Sequence, residues 1–233
     1  SPFLDLPLED GTYHYVVTAL DPAGNLSQPS NEASILFDKA APRIAVLGVE
    51  DGALYKSDLS PAFTVVDANL NPASVQASLD GQAFVSGSVV SSEGSHTLSV
   101  TASDTEGHAS TATLSFTLDK TAPQVAVSGI AEGAVYRSSV SAIITVTELH
   151  PGASSFVLTN LTLQTTSAYQ SGQAITRDGE YSLALSASDL AGNSVSRTIA
   201  FRLDVAPPAP GNLSLVLGQT ASLSWTQPEP DVL

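Results

Sequence analysis

The chain has 233 residues, of which 42% are hydrophobic and only 13% are charged. This length and hydrophobic content suffice for two or three small folded domains and are not those of a disordered chain. The formal net charge of −15 argues against nucleic acids and anionic membrane surfaces as partners, because both are bound through basic patches. The sequence has no cysteine, which excludes disulfides and thiolate metal sites. It also has no apolar run of about 18 residues that would span a membrane.

A pattern of 13 residues occurs three times, at residues 13–25, 96–108 and 181–193. Each copy alternates apolar and polar residues, reaches an Asp, and turns at Gly-Asn or Gly-His. Such alternation predicts a half-buried β-strand followed by a tight turn. The copies begin 83 and 85 residues apart, a spacing that is too long for solenoid repeats and typical of tandem sandwich domains.

Residues 1–38 have the pattern of the last part of a domain. The alternation places Tyr13, Tyr15 and Val17 on one face of a strand, together with Ala19. A closing strand is predicted near residues 32–37. We expect the first strands of this domain to be missing from the chain.

Two complete units follow, at residues 39–122 and 123–206. In the first unit, Asp80-Gly81 between two alternating runs predicts a hairpin turn. Strands are predicted there at residues 43–47, 62–66, 74–79, 83–85, 96–103 and 110–118. In the second unit they are predicted at residues 124–128, 141–147, 155–158, 161–165, 180–188 and 194–203. No helical period extends over ten or more residues, so the predicted fold class is all-β, built from tandem β-sandwiches.

Residues 207–233 begin a different unit. Leu223 and Trp225 share one face of a predicted strand there. Two strands cannot bury a Trp alone, so we expect either that the protein continues or that the chain is a fragment.

The two inner units resemble the bacterial immunoglobulin-like domains of large surface proteins. The resemblance rests on residues 179–193, Gly-Glu-Tyr-Ser-Leu-Ala-Leu-Ser-Ala-Ser-Asp-Leu-Ala-Gly-Asn, and on the junction at residues 118–123, Leu-Asp-Lys-Thr-Ala-Pro. It covers about two-thirds of the chain and implies tandem immunoglobulin-like β-sandwiches. The first unit departs from the motif at His96 and His108, where the pattern has Tyr and Asn.

The two ends, residues 1–38 and 207–233, resemble the C-terminal and N-terminal parts of fibronectin type III domains. Mixed arrays of this kind are typical of secreted or surface-anchored bacterial proteins, so the resemblance implies an extracellular or cell-surface location. It also implies tyrosine corners at Tyr13 and Tyr181, whose hydroxyls would bond to the preceding loop. The Asp of each hairpin would accept backbone N–H groups of its own turn.

Acidic residues recur at the turns, at the linkers and in the opening loops of the units, where one domain would meet the next. Hard cations bind several converging carboxylate and carbonyl oxygens, and some adhesins of the resembled class are stiffened by interdomain calcium. We therefore predict calcium, and no other cofactor, at the domain junctions. The candidate ligands are Asp21, Asp38, Asp51, Asp104, Asp119, Glu132, Asp189 and Asp204.

The same acids have a second interpretation as ordinary turn and linker residues, and it stays open at this point. The sequence has no dense Asp-x-Asp-x-Asp string of the kind that binds calcium. Lys39 and Lys120 directly follow two of the linker acids and could neutralise them at the surface.

Catalysis and transition-metal binding have little support in the sequence. The four histidines form no close pair at ligand spacing, and the Gly-x-Ser-x-Gly motif is absent. Each prominent acid has a turn or linker explanation, so we predict that the chain is not an enzyme. Tyr55 and Tyr136, each followed by a basic residue and Ser, are interpreted as anchors at the starts of strands, with glycan stacking as the alternative.

We predict a non-catalytic spacer or stalk segment of a bacterial extracellular or cell-surface protein, of the adhesin or filament type. Short linkers with proline, such as residues 119–123, limit hinge motion and suit a stiff array. The partners would be other domains of the same large protein, a neighbouring copy that pairs with an incomplete end, or host or surface glycans. The alternative function is an accessory polysaccharide-binding module of a large secreted enzyme.

Overall fold

The structure, a computed structural model, describes residues 9–206 and the backbone of two further strands, at residues 213–217 and 221–225. The chain divides into two compact units with the boundary between Asp119 and Lys120. Strands dominate both units, and the described residues contain no α-helix, which confirms the predicted all-β class. Among these residues, no helix has the length and hydropathy to cross a membrane. The four predicted domain ranges stay predictions, and the predicted contact face of Leu223 and Trp225 lies outside the described side chains.

The first unit contains an N-terminal strand pair and one sandwich. Strands β1 and β2 pair antiparallel around the turn that follows Asp21. The sandwich opposes the pair β3–β5 to a five-stranded sheet in the order β4-β9-β8-β6-β7. The strands are β1 (Gly11–Tyr15), β2 (Ala33–Phe37), β3 (Arg43–Leu47), β4 (Leu54–Tyr55), β5 (Ala62–Val66), β6 (Gln76–Leu79), β7 (Gln82–Ala83), β8 (Gly94–Ser103) and β9 (Ala109–Leu118).

The core of the first sandwich follows from the alternation in β8. Leu98 and Val100 are completely buried, as the sequence predicts, and they lie in one cluster with Phe116 of β9. Ile44 of β3 and Phe63 of β5 cover this cluster from the opposite sheet. Each large side chain removed from water in this way stabilises the fold by about 1.5–3 kcal/mol.

The second unit repeats the plan. A five-stranded sheet in the order β11-β18-β17-β14-β15 faces the short pairs β10–β13 and β12–β16, and β19 pairs with β20. Its core gathers Leu183 and Leu185 of one sheet with Ile144 of the other. The strands are β10 (Gln124–Ser128), β11 (Ala134–Tyr136), β12 (Val140–Ser141), β13 (Ile143–Thr147), β14 (Pro151–Asn160), β15 (Thr165–Ala168), β16 (Ala174–Ile175), β17 (Gly179–Asp189), β18 (Ser194–Leu203), β19 (Leu213–Leu217) and β20 (Ala221–Trp225).

One predicted strand is wrong: residues 161–165 form mainly a turn, and the strand begins only at residue 165. The side chain of Asn160, which is 5% exposed, accepts a hydrogen bond from the N–H of Leu163 at 3.0 Å. Gln164 then takes a positive φ of 55°. The Asn side chain holds the turn by bonding to nearby backbone, and it outweighs the strand preference of the leucines.

Candidate cation site at the turns and linkers

The Asp of each repeated hairpin is held inside its own turn. Oδ1 of Asp21 accepts from the N–H groups of Ala23 and Asn25 at 2.9 Å each, and the Asn25 side chain donates to Oδ2 at 2.8 Å. Asp189 accepts from the N–H of Asn193 at 2.8 Å and from its Nδ2 at 2.7 Å. These contacts match the structural interpretation of the repeat, in which the carboxylate closes its own turn.

Asp104 is also held inside its own turn, but by a histidine. Its Oδ1 accepts from the N–H of His108 at 2.8 Å, and its Oδ2 lies 2.6 Å from Nδ1 of the same ring. Burial opposes ionisation of Asp104 and Asp189, yet the hydrogen bonds from His108 and Asn193 outweigh it and lower the pKa of both carboxyls. Both carboxylates are therefore ionised at neutral pH and already engaged by donors.

The acids of the opening loops hold those loops to the closing strands. Asp51 accepts from the N–H of Ser115 at 2.7 Å, and Glu132 accepts from the N–H of Ala200 at 3.0 Å. Two of the three candidate groups, the turn acids and the opening-loop acids, thus have separate structural partners. No hydrogen bond that the structure describes joins the two groups.

The linker acids differ from one another in their surroundings. Asp204 accepts from Nη2 of Arg202 at 3.3 Å, and both residues are partly exposed. Asp119 is 8% exposed, and its N–H donates to the carbonyl of Tyr55 at 2.8 Å. Asp38 is 6% exposed and accepts from the N–H of Ala40 at 2.9 Å through Oδ1.

Asp38 also carries a buried oxygen without a donor. Its Oδ2 has no hydrogen-bond partner among the described residues. The Asp38 charge helps to raise the pKa of His108, although the hydrogen bond from the His108 ring to Asp104 is the largest cause, so Asp38 lies within electrostatic range of the turn at residues 104–108. An unmatched buried acceptor of this kind costs about 1–3 kcal/mol unless another group satisfies it.

Asn69 brings a second unmatched side chain to the same turn. Its carbonyl accepts from the N–H of Thr105 at 3.1 Å, while its Oδ1 and Nδ2 are buried and lack partners among the described residues. Its N–H donates to Asp67 at 3.0 Å. Carboxylate and amide oxygens are the ligands that calcium prefers, so Asp38 and Asn69 are the side chains of this unit best suited to a cation.

Sequence reasoning named Asp38 but missed Asn69. The spacing Asp67-Ala-Asn69 after a strand is a weak signal, since Asp and Asn are common in any turn. It also missed that Glu148 and His150, which follow the corresponding strand of the second unit, bring a carboxylate oxygen and a ring nitrogen within 4.8 Å of each other.

A further repeat holds the linkers, and sequence reasoning missed it as well. An acid followed by Gly precedes the strand of each hairpin, as in Asp10-Gly11 and Asp178-Gly179. Asp10 accepts from the N–H of Lys39 at 2.9 Å. Asp178 accepts from the N–H of Val205 at 2.6 Å. In both places the acid fixes the backbone directly after a linker Asp.

The predicted tyrosine corners form at both positions. The Tyr13 hydroxyl donates to the carbonyl of Glu9 at 2.9 Å, and that of Tyr181 donates to the carbonyl of Arg177 at 2.7 Å. In each case the acceptor lies four residues earlier in the chain. The corner fixes the loop that enters the hairpin.

Tyr55 and Tyr136 serve as anchors at the parallel strands β4 and β11. Their hydroxyls accept from the N–H groups of Glu50 and Ala131 at 2.8 Å. Their rings meet the core rings edge to face, Tyr55 at 6.4 Å from Phe116 and Tyr136 at 6.2 Å from its counterpart in β18. Both residues are half-buried, which favours the role of anchor over stacking on a glycan.

A groove of about 540 Å³ on the first sandwich has a lining without titratable side chains: Gln76, Ala77, Ser78, Ala83, Ser99 and Thr101. Acid–base chemistry requires such groups within hydrogen-bond reach of a substrate. The groove therefore offers no machinery for it.

No protein-family model and no curated protein matches the chain. Solved structures do match. The tetra-tandem repeat in the extending region of a large adhesion protein is 20% identical, over 88% of this chain and 60% of that one, with a TM-score of 0.37. The N-terminal eight Ig domains of Down syndrome cell adhesion molecule are 16% identical, over 80% of this chain and 31% of that one, with a TM-score of 0.42.

The fibronectin(III)-like modules of CbhA from Clostridium thermocellum are 9% identical, over 70% of this chain and 94% of that one, with a TM-score of 0.37. At these identities the matches bear on the fold alone. The chain is thus similar to solved structures that contain fibronectin(III)-like modules and tandem Ig domains.

Proposed function

We propose that this chain is a non-catalytic spacer segment of a bacterial extracellular or cell-surface protein, of the adhesin or filament type. The observation that carries the proposal is that the linker backbone is bound and not free. Asp10 holds the N–H of Lys39, and Asp178 holds those of Val205 and Ala206. A linker tied to the sandwich before it restricts the hinge that follows, which is what a spacer requires.

A side chain of the second sandwich also lies close to the linker that precedes it. Nδ2 of Asn193, in the turn of the repeated hairpin, lies 3.5 Å from the carbonyl of Thr121. The repeated acids and amides thus act on turns and linkers, which favours architecture over catalysis as their common purpose. The direct test is small-angle X-ray scattering, for which a spacer predicts an elongated particle.

The alternative, a polysaccharide-binding module, gains no support from the aromatic residues. Sugar-binding sheets present exposed aromatic faces. Every Tyr and Phe among residues 9–206 is buried or half-buried. We therefore rank the spacer function above it.

We further propose that a calcium ion binds near the first linker and stiffens it, with Asp38 as a carboxylate ligand and the Asn69 amide oxygen beside the same turn. Support comes from the unmatched buried oxygens of both side chains and from the preference of calcium for such donors. The three turn acids are engaged within their own turns, so we give them no part in this site.

A calcium titration with a melting readout tests this site. Calcium is expected to raise the unfolding temperature of the parent chain, because a ligand present at 100 times its Kd stabilises by about 2.7 kcal/mol. Asp38→Asn should abolish the response, because a neutral amide is a weaker calcium ligand than a carboxylate. Glu50→Gln, which changes an exposed acid of the same sandwich, should respond like the parent. An unchanged melting temperature of the parent would exclude calcium here.

A further inference from the structure

The first sandwich departs from the other two hairpins at a buried position. His96 stands where the other copies have Tyr13 and Tyr181. It is 6% exposed, and its Nε2 lies 2.9 Å from the carbonyl of Ser92. Because Ser92 also lies four residues earlier, the imidazole takes over the corner bond that the tyrosine hydroxyl makes elsewhere.

The histidine adds a second bond that tyrosine cannot make. Its Nδ1 lies 2.7 Å from Oδ2 of Asp80, in the turn between β6 and β7. The other oxygen of Asp80 accepts from the N–H of Thr97 at 2.8 Å. The ring therefore ties strand β8 both to the loop before it and to the neighbouring hairpin.

Both partners of the ring are acceptors. A carbonyl oxygen and a carboxylate oxygen cannot donate, so both ring nitrogens must carry a proton, and only the imidazolium does so. The Ser92 hydroxyl is 3.5 Å from Nε2, farther than the carbonyl of the same residue. The arrangement thus selects the charged form of His96.

The His96 ring has an aromatic neighbour and acidic residues around it. Phe116 of β9 packs against it with ring centroids 5.5 Å apart. Asp80 is the charged side chain whose field acts on it, and Glu93 lies in the loop that supplies the Ser92 carbonyl. Burial disfavours the charged ring, but the bonds to Asp80 and Ser92 outweigh burial and raise the pKa of His96 above 6.5.

We propose that His96 is a protonation-dependent lock of the first sandwich, which ties β8 to the β6–β7 turn and to the preceding loop and loosens when the imidazolium loses its proton. The neutral ring can donate from one nitrogen only, so one of the two ties must fail. The second sandwich, with Tyr181 in the same place, has no such response at neutral pH.

The sign of the effect follows from the direction of the pKa shift. A group whose pKa is raised by folding contributes stability that is complete below its unfolded pKa, about 6.5, and is lost as pH rises through the folded pKa. The first sandwich should therefore weaken on the alkaline side of pH 6.5. For each unit between the folded and unfolded pKa values, the equilibrium constant for opening of the sandwich should rise by about tenfold.

Hydrogen–deuterium exchange of the whole chain, corrected for intrinsic exchange rates, tests the proposal at pH 6 and at alkaline pH. Peptides of β6 and β8 are expected to lose protection at the higher pH relative to those of β14 and β17. His96→Tyr, which restores the residue of the other copies, should remove this loss. His108→Asn, which restores the Asn found at Asn25 and Asn193, should keep it.

Equal protection of the parent at both pH values, or a loss of protection in His96→Tyr as large as that in the parent, would overturn the proposal. If His96→Tyr does not fold, an NMR titration of the His96 ring in the parent chain decides instead. An inflection above pH 6.5 that moves down in Asp80→Asn supports the lock. An inflection at or below 6.5 contradicts it.

Discussion

The buried Asp of each hairpin illustrates how a charged residue can be repeated for structural reasons. Asp189 is 5% exposed, and both of its oxygens accept hydrogen bonds from Asn193. Its turn also contains Gly192, whose φ of 92° is in the region that glycine tolerates best. The side chain, the amide and the glycine together specify one tight turn.

Replacement of Asp189 by Ala should destabilise the second sandwich by about 1–3 kcal/mol at neutral pH, because buried donors lose their acceptor. Burial acts to raise the pKa of Asp189, but the hydrogen bonds from Asn193 and from the other N–H groups of the turn outweigh burial, so the pKa is lowered in the folded chain. The contribution is therefore present above the usual value of 3.8 and is lost as pH falls through the folded value.

Urea denaturation of the parent and of Asp189→Ala measures this difference in the free energy of unfolding. The gap should be largest near pH 7 and shrink below pH 3.8. Glu180→Gln, which alters an exposed acid on the same strand, serves as the control and should leave the free energy of unfolding nearly unchanged. A gap that widens on acidification would contradict the assignment.

At the level of single residues, the sequence predicts the roles of Asp21, Asp189 and Tyr181, because repetition at a fixed spacing reveals a shared turn. It does not predict that an oxygen of Asp38 lies buried without a donor, nor that Asn69 lies beside the same turn. Those facts depend on which loops meet in the folded unit, and no local pattern records them.

The long strands can be predicted from the sequence, whereas the short parallel strands cannot. Strands β8 and β17 follow from strict alternation, which one buried face enforces. The parallel strands β4 and β11 could not be predicted, since two or three residues carry no period. The turn of the β14–β15 hairpin lies at residues predicted as a strand, because Asn160 and Gln164 determine the turn more strongly than the neighbouring leucines do.

Two equivalent glycines provide a matched test of how the strands leave the sheet. Gly48 and Gly129 occupy the same place after β3 and β10, with φ values of 84° and 87°. A Cβ at Gly129 would lie 2.1 Å from the carbonyl oxygen of Ser141, whereas one at Gly48 would lie 3.5 Å from that of Ser60. The first distance is a clash with backbone, and the second is an ordinary contact.

Both Gly→Ala variants should therefore lose about 1–3 kcal/mol through the positive φ, and Gly129→Ala should lose clearly more. Thermal unfolding of the two single variants beside the parent measures the difference. Equal losses would mean that the backbone angle alone determines the cost, and that the close approach at Gly129 has no effect on stability.

At the scale of the whole molecule, the spacer proposal depends on the linkers. The alternating strands form the sandwiches, and the repeated acids close turns within them. Asp10 and Asp178 extend the same chemistry to the linker backbone. The acid–Gly repeat that supplies these residues was visible in the sequence, but its partners, Lys39 and Val205, lie 29 and 27 residues away.

Small-angle X-ray scattering of the chain in solution tests the spacer proposal most directly. The parent should scatter as an elongated particle, and the double variant Asp10→Ala/Asp178→Ala should show a broader distribution of lengths, because the linker backbone loses its acceptors. The pair of control changes Glu50→Gln and Glu180→Gln should leave the profile as in the parent. A compact, folded-back particle for the parent chain would contradict the account.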